Sequence, residues 1–184
     1  MDLFPTLEEF QRTHGAEDKR RFTALFPHPF LLVDLSFPRS GMSDFATFPG
    51  SPEAEKSTEF QASTAGSSSL FVMPVAKSSR NTFHAMVTVG RASNNDLVIP
   101  HGSVSKFHAF FRPDPCAERY TIVDAGSSFG TMVNGKEADK GKGSVVESGD
   151  TVQFAMLVRA TFFSAPDFHD YMHLVKRVEK SRSR

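Results

Sequence analysis

The chain has 184 residues, 39% of them hydrophobic, and 21 Lys+Arg balance 21 Asp+Glu, which suits one domain with extensions or two small ones and argues against a dedicated nucleic-acid binder. No apolar run reaches membrane-span length, and the N-terminus lacks a basic-then-apolar signal pattern. A single cysteine, Cys116, has no internal disulfide partner, so a reducing, cytoplasmic setting is expected.

The charge is uneven along the chain. Residues 1–70 carry 6 Lys+Arg against 10 Asp+Glu, net −4, whereas residues 71–163 carry 10 against 8, net +2. In residues 1–37, Thr6 and Glu9 have capping-box spacing, and Leu7, Phe10, Phe22, Leu25 and Phe26 predict two short apolar-striped helices broken near Gly15. Pro27 and Pro29 end that pattern, and Phe30-Leu31-Leu32-Val33 predicts a short buried strand within an N-terminal arm.

Residues 38–69 differ in kind: 21 of the 32 are Pro, Gly, Ser, Thr or Ala, too few apolar groups to offset ordering entropy, so a flexible linker is expected. With it, the N-terminal arm is expected to be partly disordered.

From Leu70 the apolar period becomes two. Strands are expected at 70–76, 83–90, 96–99, 105–112, 119–124, 131–133, 144–147 and 151–163, with turn residues between them. Such spacing predicts an all-β antiparallel sandwich over 70–163. Val152, Phe154, Met156, Val158, Ala160 and Phe162 share one face of the last strand if it is unbroken, and a bend near 155–157 makes it a hairpin instead. Gly141-Lys142-Gly143-Ser144 reads as a hairpin turn. In 164–184, Phe168, Tyr171, Met172, Val175 and Val178 fall at helical spacing, predicting a short C-terminal helix with a basic end.

The chemistry points away from catalysis. Ser105, His108 and Asp124 are triad residue types, but if Ser105 and His108 share a strand their side chains face opposite ways, about 10 Å apart, and no G-x-S-x-G elbow is present. His169 and His173, at i, i+4, lack a third metal ligand, and no nucleotide-binding glycine loop occurs. No metal, cofactor or enzymatic activity is expected.

Phosphate recognition suits the residues better. A phosphothreonine carries nearly two negative charges and three strong acceptor oxygens. An arginine offers paired donors, a serine hydroxyl a short bond, and turn amides more. Arg91 at a strand end, Ser105 and the turn 127–130 are placed to converge at one end of a sandwich.

Here the ordered set Gly90-Arg91, Asn95-Asp96, Ser105-x-x-His108, Asp124-x-x-Ser127-x-x-Gly130-Thr131, Val133-Asn134-Gly135 and Gly149-Asp150 resembles the forkhead-associated (FHA) domain, over about residues 70–163. The resemblance implies an FHA-like β-sandwich and phosphothreonine-dependent binding of a partner protein in signal transduction. It places Arg91 and Ser105 on the phosphate, Lys106 and Ser128 beside it, and Gly90, His108, Gly130 and Asn134 as structural support. The family commonly has, before Gly130, an asparagine that hydrogen-bonds the peptide main chain; here Phe129 stands there, which keeps open a phosphate-independent scaffold. The expected partner is a threonine-phosphorylated protein, such as a Ser/Thr kinase or its substrate, and the chain's own acidic N-terminal arm is a second candidate ligand.

Overall fold

The computed structural model describes residues 4–35, 70–114 and 119–182; the linker expected at 38–69 and Cys116 lie outside them. Two short helices open the chain, α1 (Leu7–His14) and α2 (Lys19–Leu25). The capping box forms as expected: Thr6 Oγ1 accepts the Glu9 N–H while the Glu9 carboxylate accepts the Thr6 N–H at 2.8 Å. Asp18 caps α2 through the Arg21 N–H. Leu25, expected on the apolar stripe, is instead exposed, because α2 packs through Phe22 and ends at Phe26.

Eleven strands follow among the described residues: β1 (Phe30–Asp34), β2 (Leu70–Pro74), β3 (Val87–Gly90), β4 (Leu97–Val98), β5 (Ala109–Asp114), β6 (Arg119–Asp124), β7 (Thr131–Val133), β8 (Lys136–Glu137), β9 (Ser144–Val146), β10 (Thr151–Phe154) and β11 (Val158–Phe163). They form two sheets, ordered β2-β1-β11-β10-β7-β8 and β4-β3-β5-β6-β9. All pairings are antiparallel except β3 with β4, so the all-β sandwich is as expected with one parallel pair. Helix α3 (Ala165–Arg182) closes the chain, its first turn capped by Ser164, whose Oγ accepts the Asp167 N–H.

Strand β1 sits between β2 and β11, so the sandwich draws a strand from upstream of residue 70. Its unbroken apolar run has a physical reason. Leu31 and Val33 face the inter-sheet core with Val89, Phe111, Ile122 and Phe154. Phe30 and Leu32 face a second cluster with Leu7, Phe10, Phe22, Phe168 and Met172 under the helices. A strand buried on both faces has no polar positions to alternate. Phe30 and Phe168 stack with centroids 4.6 Å apart.

Three expectations are corrected, and the alternative left open at 151–163 is decided. The strand expected at 83–90 begins at Val87, since Asn81 draws 78–86 into a loop by accepting the Phe83 N–H. The strand expected at 105–112 begins at Ala109, leaving 105–108 in a loop. The segment 151–163 is a hairpin broken at 155–157, with Ala155 at φ 56°. The Gly141–Ser144 turn joins strands of different sheets, so it is a crossover and not a hairpin turn; Asp139 organises it by accepting the Gly141 and Lys142 N–H groups. Strand β8 was not expected: Asn134 and Gly135, both at positive φ, turn the chain back onto β7.

Candidate functional site

Three loops meet at one end of the sandwich: β3–β4 carrying Arg91, β4–β5 carrying Ser105 and Lys106, and β6–β7 carrying Ser128 and Phe129. The first two run side by side. Arg91 N–H donates to the Ser105 carbonyl at 2.9 Å and Ala92 N–H to the Lys106 carbonyl at 3.1 Å. Buried Asn95 locks them by donating Nδ2 to the carbonyls of Ala92 and Lys106. Gly90 makes this approach feasible, because a Cβ there would run into the Lys106 carbonyl and come within 2.9 Å of Asn95 Nδ2.

The second and third loops are joined by His108. Its Nδ1 lies 3.0 Å from the Ser105 N–H and its Nε2 lies 3.0 Å from the Gly130 carbonyl. An amide only donates and a carbonyl only accepts, so the ring is the neutral Nε2–H tautomer. Burial holds its pKa below the usual histidine value, in keeping with that state. Ser105 Oγ accepts the Ser128 N–H at 3.1 Å and lies 3.5 Å from Ser128 Oγ. Asp124 shapes the β6–β7 loop by accepting from the Gly126 and Ser127 amides and from the Ser127 and Thr131 hydroxyls. Burial alone would raise the Asp124 pKa, but these four bonds hold it below the usual carboxylate range.

Arg91 is exposed and spends only its Nε, on the Val104 carbonyl at 3.2 Å. Among the described residues no acidic side chain pairs with Arg91 or with exposed Lys106. The cluster therefore presents cationic and hydroxyl donors to solvent, a set suited to an anion with several acceptor oxygens. Phe129 is 51% exposed beside it.

Arg91, Ser105, Lys106, Ser128 and Phe129 thus share one end, supported by Gly90, His108 and Gly130. Asn134 does not join them. Strand β7 runs away from the site, and Asn134, at its far end, instead bonds Asp150 Oδ1 at 2.7 Å and accepts the Thr151 N–H. Sequence reasoning left out the bracing role of Asn95, although its place in an Asn-Asp turn beside Arg91 was a usable signal.

The ground for setting aside a Ser105–His108–Asp124 triad also changes. Ser105 and His108 lie in one loop and touch, yet both ring nitrogens are engaged by backbone groups and Ser105 Oγ faces Ser128. Asp124 bonds Ser127 and Thr131, so none of the three is wired as a triad. A shallow cleft of about 530 Å³ lined by Pro27, Pro29, Tyr120 and Phe162 opens at the opposite end of the sandwich.

A β-sandwich whose loops expose an arginine with no acidic partner among the described residues, beside two serine hydroxyls, is suited to recognising an anion. Residues 87–155 match the family model of the FHA domain. Over 77 residues the chain is 40% identical to human "Angiogenic factor with G patch and FHA domains 1", covering 39% of this chain and 11% of that protein. Over 82 residues it is 33% identical to "Glycogen accumulation regulator GarA" of Mycobacterium tuberculosis, covering 45% of this chain and 47% of that one. The chain therefore spans about a tenth and about half of these relatives. Among solved structures it resembles the FHA domain of the CT664 protein from Chlamydia trachomatis (16% identity, TM-score 0.46, 74% of this chain and 97% of that one). It also resembles the MEK1 FHA domain in complex with the HOP1 pThr318 peptide (25% identity, TM-score 0.40, 50% and 86%). No described helix is long and apolar enough to cross a membrane.

Proposed function

We propose that the chain is a phosphothreonine-dependent protein-binding module that links a Ser/Thr kinase, or a substrate of one, to a downstream process. The observation that carries this reading is the convergence of unpaired Arg91 with Ser105 Oγ and Ser128 on loops fixed by His108 and Asn95. A phosphate seated there takes charge-assisted bonds from Arg91 and a short bond from Ser105, with Lys106 adding charge at the rim. The match of residues 87–155 to the FHA domain family model supports the same reading. The module has no catalytic role in this account, and the partner's phosphate is recognised and left in place.

Exposed Phe129 favours a second reading, a scaffold that binds protein without phosphate, since a phenyl ring cannot hydrogen-bond a peptide main chain. Titration calorimetry of the chain against phosphothreonine and unphosphorylated peptide pools, with Arg91→Ala as control, separates the two. Phosphate-dependent heat that disappears in Arg91→Ala is the expected result. Equal binding of both pools, insensitive to Arg91→Ala, would establish the scaffold.

A further inference from the structure

We propose that the outer face of the β3–β5 sheet, beside the anion site, is a second contact for the phosphorylated partner and takes an acidic segment carrying an aliphatic or aromatic side chain; this rests on the phosphothreonine-binding reading above. Three phenylalanines carry the argument. Phe83, Phe107 and Phe110 form a ladder of near-parallel rings, with centroids 6.2 Å and 6.1 Å apart and planes inclined by 11° and 20°. Phe110 belongs to the outer face because it alternates with Ala109 and Phe111, which are buried in the inter-sheet core. Phe83 and Phe107 are 52% and 39% exposed. Two phenyl rings thus meet water side by side, a cost that covering them with an apolar group removes.

The ladder is fixed in place. Asn81 accepts the Phe83 N–H at 3.0 Å, and its Nδ2 donates to buried Asp96 and Thr88. Asp96 also accepts the Ser78 N–H, so the loop that presents Phe83 is tied to the sheet by a buried carboxylate. Phe107 is presented by the β4–β5 loop, whose Ser105 end is held by His108. An apolar side chain that docks on these rings orders little of the protein in doing so.

Position and charge select the occupant. Phe107 is two residues from Ser105, so their Cα atoms lie within about 7 Å, and Phe83 is one ring spacing beyond. A segment running from the phosphate to the ladder therefore spans about 13 Å, four residues of extended chain at about 3.3 Å each. The contact lies outside the residues that immediately flank the phosphothreonine. Four exposed cations border it: Arg80 in the Phe83 loop, Lys106 beside Phe107, Arg112 on the Phe110 face of β5, and Lys142, whose carbonyl accepts from Arg112 Nη2. None pairs with an acid among the described residues. The neighbouring acids are placed elsewhere: Asp114 ends β5 opposite Arg119, and Asp139 is spent on the Gly141 and Lys142 amides. Such a border favours glutamates and aspartates around the apolar anchor.

The test is fluorescence anisotropy on the full chain. The probe is a labelled phosphothreonine peptide pool, randomised at the positions next to the phosphothreonine. It is used alone or extended at either end by Glu-Leu-Glu-Phe-Glu, by Glu-Ala-Glu-Ala-Glu or by Lys-Leu-Lys-Phe-Lys. The Leu/Phe acidic extension at one end is expected to bind at least fivefold tighter than the other two. Phe83→Ala should remove that gain and Phe83→Tyr keep it, while the unextended pool binds all three chains alike. Equal affinity for the three extensions at both ends, or a gain that survives Phe83→Ala, would overturn the surface; continued binding of the unextended pool would leave the phosphothreonine reading standing. Binding of the unphosphorylated Leu/Phe extension through Phe83, with no response to phosphate, would support the surface and overturn the phosphothreonine reading. Binding of oligothymidylate that is lost in Phe83→Ala would overturn the proposal in favour of single-stranded nucleic acid.

Discussion

The backbone N–H of Ser105 donates to Nδ1 of His108 at 3.0 Å, and the opposite ring nitrogen holds the Gly130 carbonyl at the same distance. One neutral imidazole, fully buried, thereby sets the spacing between the two loops that carry Ser105 and Ser128. The anion-facing surface is positioned by a side chain that never reaches it.

His108→Ala should therefore damage both stability and binding. Two backbone groups lose their partner, at a cost of about 2 kcal/mol or more. Urea unfolding should show the drop, and calorimetry should show weakened phosphopeptide binding even where the chain is fully folded. Binding at full strength by folded His108→Ala would show that the loops are held without the ring.

Acid should destabilise the chain in the same way. His108, His28, His101 and His173 all have pKa values lowered by burial. Unfolded histidines titrate near about 6.5. Below that pH the unfolded chain binds protons that the folded chain refuses, so stability is full above about 6.5 and falls as the pH drops toward the lowered folded values. The urea midpoint should be lower at pH 5.5 than at pH 7.5; a midpoint that holds or rises would contradict this assignment.

Gly90→Ala places a methyl group against the Lys106 carbonyl and Asn95 Nδ2. Separating the two loops costs about 1–3 kcal/mol. Thermal unfolding should register the loss, and phosphopeptide affinity should fall although no phosphate-facing group has changed.

Asp96 anchors the loop before β3. Its buried carboxylate accepts from the Ser78 and Thr88 amides and hydroxyls, Asn81 Nδ2 and Lys77 Nζ. Burial would raise its pKa, but these bonds hold it well below the carboxylate range. Asp96→Asn should destabilise by about 3 kcal/mol at neutral pH, read from urea curves, because it leaves a buried constellation of donors facing an amide. Lys77→Ala should cost less, since the carboxylate keeps its other donors.

Phe129→Asn restores an amide beside Gly130. Calorimetry should show phosphopeptide affinity rising about tenfold, the equivalent of about 1.4 kcal/mol, as main-chain bonds become available. An unchanged or weaker affinity would mark Phe129 as a working contact of this chain's own.

Much was legible in the linear chain. Alternating apolar residues marked most strands, the Thr6–Glu9 spacing marked the capping box, and the ordered Gly90-Arg91, Ser105-x-x-His108 and Asp124-to-Gly135 pieces pointed to the loops that meet. These features depend on neighbours within a few residues, where period and turn chemistry act directly. What the tertiary structure decided depends on partners far along the chain. Strand β1 entered the sheet because its two apolar faces met two different cores. Ser105 left the strand because His108 claimed its amide, and Asn134 landed at the far end because β7 runs away from the loops. That Asp34 and Leu70 meet at the site's end followed from a single register, β1 against β2. Local sequence sets which residues turn and which extend; only packing determines which ends come together.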